Sequence, residues 1–140
     1  MKGIKRSSGL VVLMILVMLV LSACGGGSQL KADVVVNESQ NGTTIMMKNG
    51  QVLEVMLSSN PAEGYRWKVA NVDSAVLEQA GDPIFKKASD QEPAPAGKSG
   101  WGVFQFKAVG AGQTVLEMVY QKTEEGSSPE NTFTIQVVVE

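Results

Sequence analysis

Hydrophobic residues are arranged in two different ways along the chain. Residues 10–21 form one unbroken apolar run, whereas from residue 33 onward apolar residues come in short runs that mostly alternate with polar ones. Successive strand residues point to opposite faces, so this alternation predicts half-buried β-strands. The expected strands are 33–37, 43–48, 51–57, 65–70, 75–79, 84–86, 102–108, 113–120 and 132–139, the fifth and sixth being weakly patterned. Asn41-Gly42 and Asn49-Gly50 supply turns around the second. Leu53, Val55 and Leu57 share one face of the third strand, and Phe133, Ile135, Val137 and Val139 share one face of the last. In the seventh, Phe104, Phe106 and Ala108 oppose Val103, Gln105 and Lys107. No segment past residue 33 sustains a helical period, and 72–79 amounts to one helical turn at most. Short strands with single apolar faces and turns between them predict two sheets packed face to face. The expected fold is an all-β, immunoglobulin-like β-sandwich of about eight strands.

The apolar run near the start does not belong to this pattern. As a helix its twelve residues would span about 18 Å, short of the roughly 30 Å hydrocarbon core of a bilayer. Lys2, Lys5 and Arg6 precede it and small residues follow, which is the layout of a secretory signal peptide; an uncleaved anchor is the alternative. The run ends in Leu21-Ser22-Ala23-Cys24, which resembles the lipobox of bacterial lipoproteins. That resemblance implies removal of residues 1–23, a diacylglyceryl group on the Cys24 sulfur and acylation of its amine. Several acyl chains, at about 0.8 kcal/mol per buried CH₂, hold a protein to a membrane where one chain would not. Residues 24–32 would then be lipidated Cys and flexible tether, and 33–140 the folded domain. The expected location is the bacterial cell envelope, facing the periplasm or exterior.

Composition narrows the chemistry. Cys24 is the only cysteine, so the folded domain can form no disulfide and relies on its core. Histidine is absent, which excludes Ser-His-Asp and Cys-His catalysis and zinc sites that need imidazole. Three of the twelve basic residues lie in the leader, so the chain from Cys24 carries nine against fourteen acids, a formal charge of −5. Nucleic acid, which requires a basic surface, is not an expected partner. No cofactor or metal is expected, and the domain is expected to be a monomer.

Three inter-strand segments carry the remaining information. In "SSNPAEGYRW", Pro61 fixes its own φ and drives Asn60 out of the α region, while Gly64 permits positive φ or close backbone approach. Glu63 between them has no apolar role. An ordinary turn would account for these residues taken alone. The second segment, 87–101, holds two of the five prolines and includes Gly97-Lys98-Ser99. A P-loop would need glycine where Glu92 stands, in a loop following a strand, so nucleotide binding is rejected. The third, 121–129, is acidic.

Together these segments resemble the chagasin-type inhibitors of papain-like cysteine proteases. "SSNPAEGYRW" is similar to that family's Asn-Pro-x-x-Gly-aromatic signature. "GKSGWGVFQFKAVGAGQTVLEMVY" is similar to its Gly-rich signature with the strands that follow, and "NTFTIQVVVE" to its last strand. The resemblance covers residues 33–140 and implies an immunoglobulin-like sandwich with a wedge of three loops at one end. The central loop would enter the protease cleft over the catalytic cysteine while the other two grip the walls. By position, Asn60, Pro61, Ala62, Glu63, Gly64 and Tyr65 form the central loop, and Gly97, Lys98, Ser99, Gly100 and Trp101 the second. Lys122 stands where the third signature, Arg-Pro-aromatic, begins; Thr123 and Glu124 replace its Pro and aromatic residue. Ser99 replaces a glycine, and Ala62 and Glu63 replace small hydroxyl residues.

Two other readings compete with reversible inhibition. One is a non-inhibitory envelope module in which Tyr65, Trp67 and Trp101 stack on carbohydrate or peptide; alternation favours a core position for Trp67. The other is a glycosidase using Glu63 and a second carboxylate.

Overall fold

The computed structural model describes residues 29–140; the expected signal peptide and Cys24 lie outside the described residues. Nine strands form two mixed sheets: β1 (Val34–Asn37), β2 (Thr44–Met47), β3 (Val52–Ser59), β4 (Tyr65–Asn71), β5 (Leu77–Gln79), β6 (Ile84–Lys87), β7 (Gly100–Ala108), β8 (Gly112–Lys122) and β9 (Asn131–Val139). One sheet runs β1-β3-β7, with β5 and β6 paired to successive lengths of β7, and the other runs β2-β9-β8-β4. β1 lies parallel to β3 and β2 parallel to β9; the other pairs are antiparallel. The fold is the expected all-β, immunoglobulin-like sandwich, with nine strands among the described residues.

Period-two alternation builds the core. Leu53, Val55, Leu57 and Phe106 of the first sheet and Leu116, Met118, Ile135 and Val137 of the second are fully buried. The core runs from Val36 to Val139, so residues 28–140 contain all of it. Burying a Leu, Val or Phe side chain contributes about 1.5–3 kcal/mol, and this replaces the missing cross-links.

Alternation fails on β7, where Val103 and Gln105 are buried as well as Phe104 and Phe106. β7 is flanked by strands on both sides, and the chain before β1 crosses its outer face. The Gln105 amide accepts from Leu30 N–H at 2.8 Å and donates to Leu30 C=O at 2.7 Å and to Glu54 Oε2 at 2.9 Å. Asp33 completes the attachment: its N–H donates to Val52 C=O, and its carboxylate accepts from Val52 N–H, both at 2.9 Å.

Candidate functional site

Strand direction brings the three loops to one end. β3 ends at Ser59 opposite the start of β7 at Gly100. β4 begins at Tyr65 opposite Lys122 of β8, and Tyr120 faces Asn131 of β9. The β3–β4, β6–β7 and β8–β9 connections therefore share a pole.

The central loop is a single 3₁₀ turn, Pro61–Glu63. Proline suits the first position of such a turn, where its missing N–H costs nothing. Glu63 N–H donates to Asn60 C=O at 3.2 Å and Gly64 N–H to Pro61 C=O at 3.0 Å. Gly64 stops the turn in the left-handed region, φ 82° and ψ 10°. Of the two roles open to that glycine, the structure uses positive φ; among the described residues, nothing beyond its two chain neighbours lies within 4 Å of where a Cβ would sit. Ala62 and Glu63 are exposed at the tip.

Each neighbouring loop is tied to the central one. From the second, Ser99 N–H donates to Ser59 C=O at 3.0 Å, and Ser99 Oγ approaches Asn60 Oδ1 at 3.2 Å. Asn60 Nδ2 donates to Gly97 C=O at 3.3 Å. The Asn60 side chain thus faces the second loop. From the third, Thr123 N–H donates to Gly64 C=O at 3.1 Å.

An aromatic cluster supports the turn from beneath. The Tyr120 hydroxyl accepts from Asn60 N–H at 2.9 Å, on a ring that is 1% exposed. Tyr65 stacks on Tyr120 with centroids 5.3 Å apart, and Trp67 tilts against it at 5.1 Å. Lys98 Nζ lies 4.3 Å from the Tyr120 centroid, and Lys122 Nζ lies 5.7 Å from that of Tyr65, both within cation–π range. Tyr120 was not singled out by sequence, yet a buried tyrosine hydroxyl usually has a partner.

The second loop is ordered by its own bonds. Ser89 and Glu92 exchange backbone hydrogen bonds, Ala88 N–H donates to Ser99 C=O, and Lys86 pairs with Glu92 at 2.6 Å. Gly100 and Trp101, expected in this loop, instead open β7. A Cβ on Gly100 would meet Lys86 C=O at 2.2 Å, so only glycine lets β6 and β7 approach this closely. Trp101 is half-buried, with Lys86 Nζ 5.8 Å from its ring. Trp67 is 7% exposed and donates from Nε1 to Ser58 C=O at 2.8 Å, so it belongs to the core and the three-ring platform does not form. Thr123 and Glu124 are exposed, with no aromatic residue in the third loop. Cys24 lies outside the described residues.

Comparison with known proteins agrees with this geometry. Residues 46–137 match the chagasin family peptidase inhibitor I42. Amoebiasin-1 of Entamoeba histolytica is 28% identical over 105 residues, covering 75% of this chain and 98% of that protein. The cysteine protease inhibitor EhICP2 of the same organism shares the fold with a TM-score of 0.63 at 19% identity, over 76% of this chain and 94% of that one. PbICP-C, solved in complex with falcipain-2, superposes with a TM-score of 0.54 at 16% identity, over 76% and 99% of the two chains. Two sheets with three bound loops at one pole, and a family match spanning most of the described domain, place this chain in the chagasin family of peptidase inhibitors.

Proposed function

We propose that this chain is a reversible inhibitor of papain-like cysteine proteases that blocks the active-site cleft with its three-loop wedge and performs no chemistry itself. The observation that carries this reading is the bracing of the central turn from both sides and from below. A wedge binds well when it loses little freedom on docking, and a turn already held by Ser99, Thr123 and Tyr120 has little to lose. Residues 60–65 enter the cleft. Gly97, Lys98 and Ser99 meet one wall, with Gly100 and Trp101 supporting them, and Lys122 meets the other. That PbICP-C was solved on falcipain-2 supports the choice of partner.

The third loop offers a lysine where the family signature has an arginine, with no proline or aromatic residue after it. Buried aromatic and Arg anchors are worth about 2 kcal/mol or more each, or roughly thirtyfold in affinity, so inhibition is weaker than a full signature would give. Titrating papain or a cathepsin with residues 28–140 tests the reading. Dose-dependent, reversible inhibition is expected, and none at high micromolar concentration across several such proteases would refute it.

Cys24 carries lipid in this proposal and holds the inhibitor as a monomer at the bacterial cell envelope. Its basis is the order of basic, apolar and small residues before Cys24. The full-length protein should sediment with membranes and Cys24→Ala should not; equal partition of the two would exclude the lipid anchor.

A further inference from the structure

Beside the wedge, the sandwich is open between β4 and β6. A cavity of about 140 Å³ lies there, lined by Pro61 of the central turn, Arg66 and Trp67 of β4, Phe85 of β6 and Phe104 of β7. The depression is open to solvent, and Ser59 and Arg66 give its lining a polar part. Cavities of about 150 Å³ accept a benzene-sized group, so it has room for a single leucine- or methionine-sized side chain.

Three features indicate what fills it. Phe85 lines the cavity yet is 43% exposed, and its strand pairs only with β7. Arg66 is exposed on the same wall and has no carboxylate partner, Lys86–Glu92 being the one ion pair among the described residues. Pro61 belongs to both the cavity and the wedge, so a body gripping the central turn stands directly over the opening. The occupant therefore brings an apolar side chain with a negative charge next to it, and it arrives with the wedge's own target.

We infer that the cavity is a secondary docking pocket for the bound protease, taking one apolar side chain from the rim of its cleft while an adjoining carboxylate pairs with Arg66. This rests on the inhibitor reading above. Apart from Pro61 the pocket is lined by residues outside the three loops, and it selects among proteases that share the same catalytic cleft. Because rim residues vary more freely than catalytic ones, it supplies discrimination that the wedge lacks.

Inhibition constants for the wild-type domain, Phe85→Ala and Arg66→Glu against a panel of papain-like proteases with acidic or neutral rims test this. Phe85→Ala should weaken inhibition fivefold or more through faster dissociation on acidic-rim proteases. Arg66→Glu should weaken it on the same proteases at low salt, the difference shrinking as salt screens the pair. Melting temperatures close to wild type would show both variants folded. If both stay within twofold of wild type on every protease that the wild type inhibits, the docking pocket is overturned while the inhibitor reading stands. If Phe85→Ala dissociates a dimer in sedimentation, the occupant is a second copy and the inference fails. If the wild-type domain inhibits nothing, the inhibitor reading itself fails and takes this one with it.

Discussion

Gly64→Val should leave a folded domain that inhibits papain at least a hundredfold less well than the wild type. Gly64 sits at φ 82°, where an L-residue costs about 1–2 kcal/mol and a β-branched one more. Among the described residues nothing beyond its chain neighbours lies within 4 Å of the position a Cβ would take, so the folding cost is confined to the backbone. For a domain of this size the melting temperature should fall by roughly 5–15 °C. Docking suffers in two ways. The turn must rewind to relieve its φ, and the valine methyls project from the tip into the space the protease wall needs. Gly64→Ala separates these effects, since it has most of the backbone cost and little of the bulk; its loss should be the smaller. Inhibition by Gly64→Val within threefold of wild type would mean that the central turn is not the part that enters the cleft.

Changes at Tyr120 should separate rigidity from stability. Tyr120→Phe keeps the ring between Tyr65 and Trp67 and removes the hydroxyl that accepts from Asn60 N–H. An unpartnered backbone donor costs about 1–3 kcal/mol when buried, and Asn60 is only half-buried, so the lower end applies. The expected result is a modest fall in stability with inhibition about tenfold weaker, because the released turn must be ordered again on docking. Tyr120→Ala removes the ring as well. Truncating a buried aromatic costs about 3–5 kcal/mol, a large share of the 5–15 kcal/mol that holds a domain together. Its urea midpoint should drop by about 2 M, at roughly 1–3 kcal/mol per molar. Unchanged inhibition by Tyr120→Phe would mean that the protease itself holds the turn in shape.

What could be read in advance depended on how local the cause was. Strands were legible because Leu53, Val55 and Leu57, or Phe133, Ile135 and Val137, repeat with the period of the pleat. The 3₁₀ turn was legible in part, since Pro61 and Gly64 act on their own backbone. The bracing was not. Tyr120 meets Asn60 across sixty residues of sequence, and Ser99 meets it across 39. Ser99 read as a departure from a glycine signature, yet its side chain reaches the central loop. Val103 and Gln105 read as an outward face because alternation cannot tell which strand will lie at the centre of a sheet. Phe85 was obscure for a related reason: a four-residue strand carries too little pattern to say which side faces a cavity.

The parallel pairing of β1 with β3 has a mechanical consequence. β1 begins at the pole away from the loops, held by Asp33 and by Leu30 on Gln105, and β3 ends at the wedge. A pull between the N-terminus and an object gripping the loops runs along both strands in opposite senses. It loads the hydrogen bonds from Val34 to Asn37 together, in shear, and does not open them one at a time. The seam between the front of the described domain and the inhibitory pole is thus aligned to resist tension along that line, as would suit the anchored inhibitor proposed above.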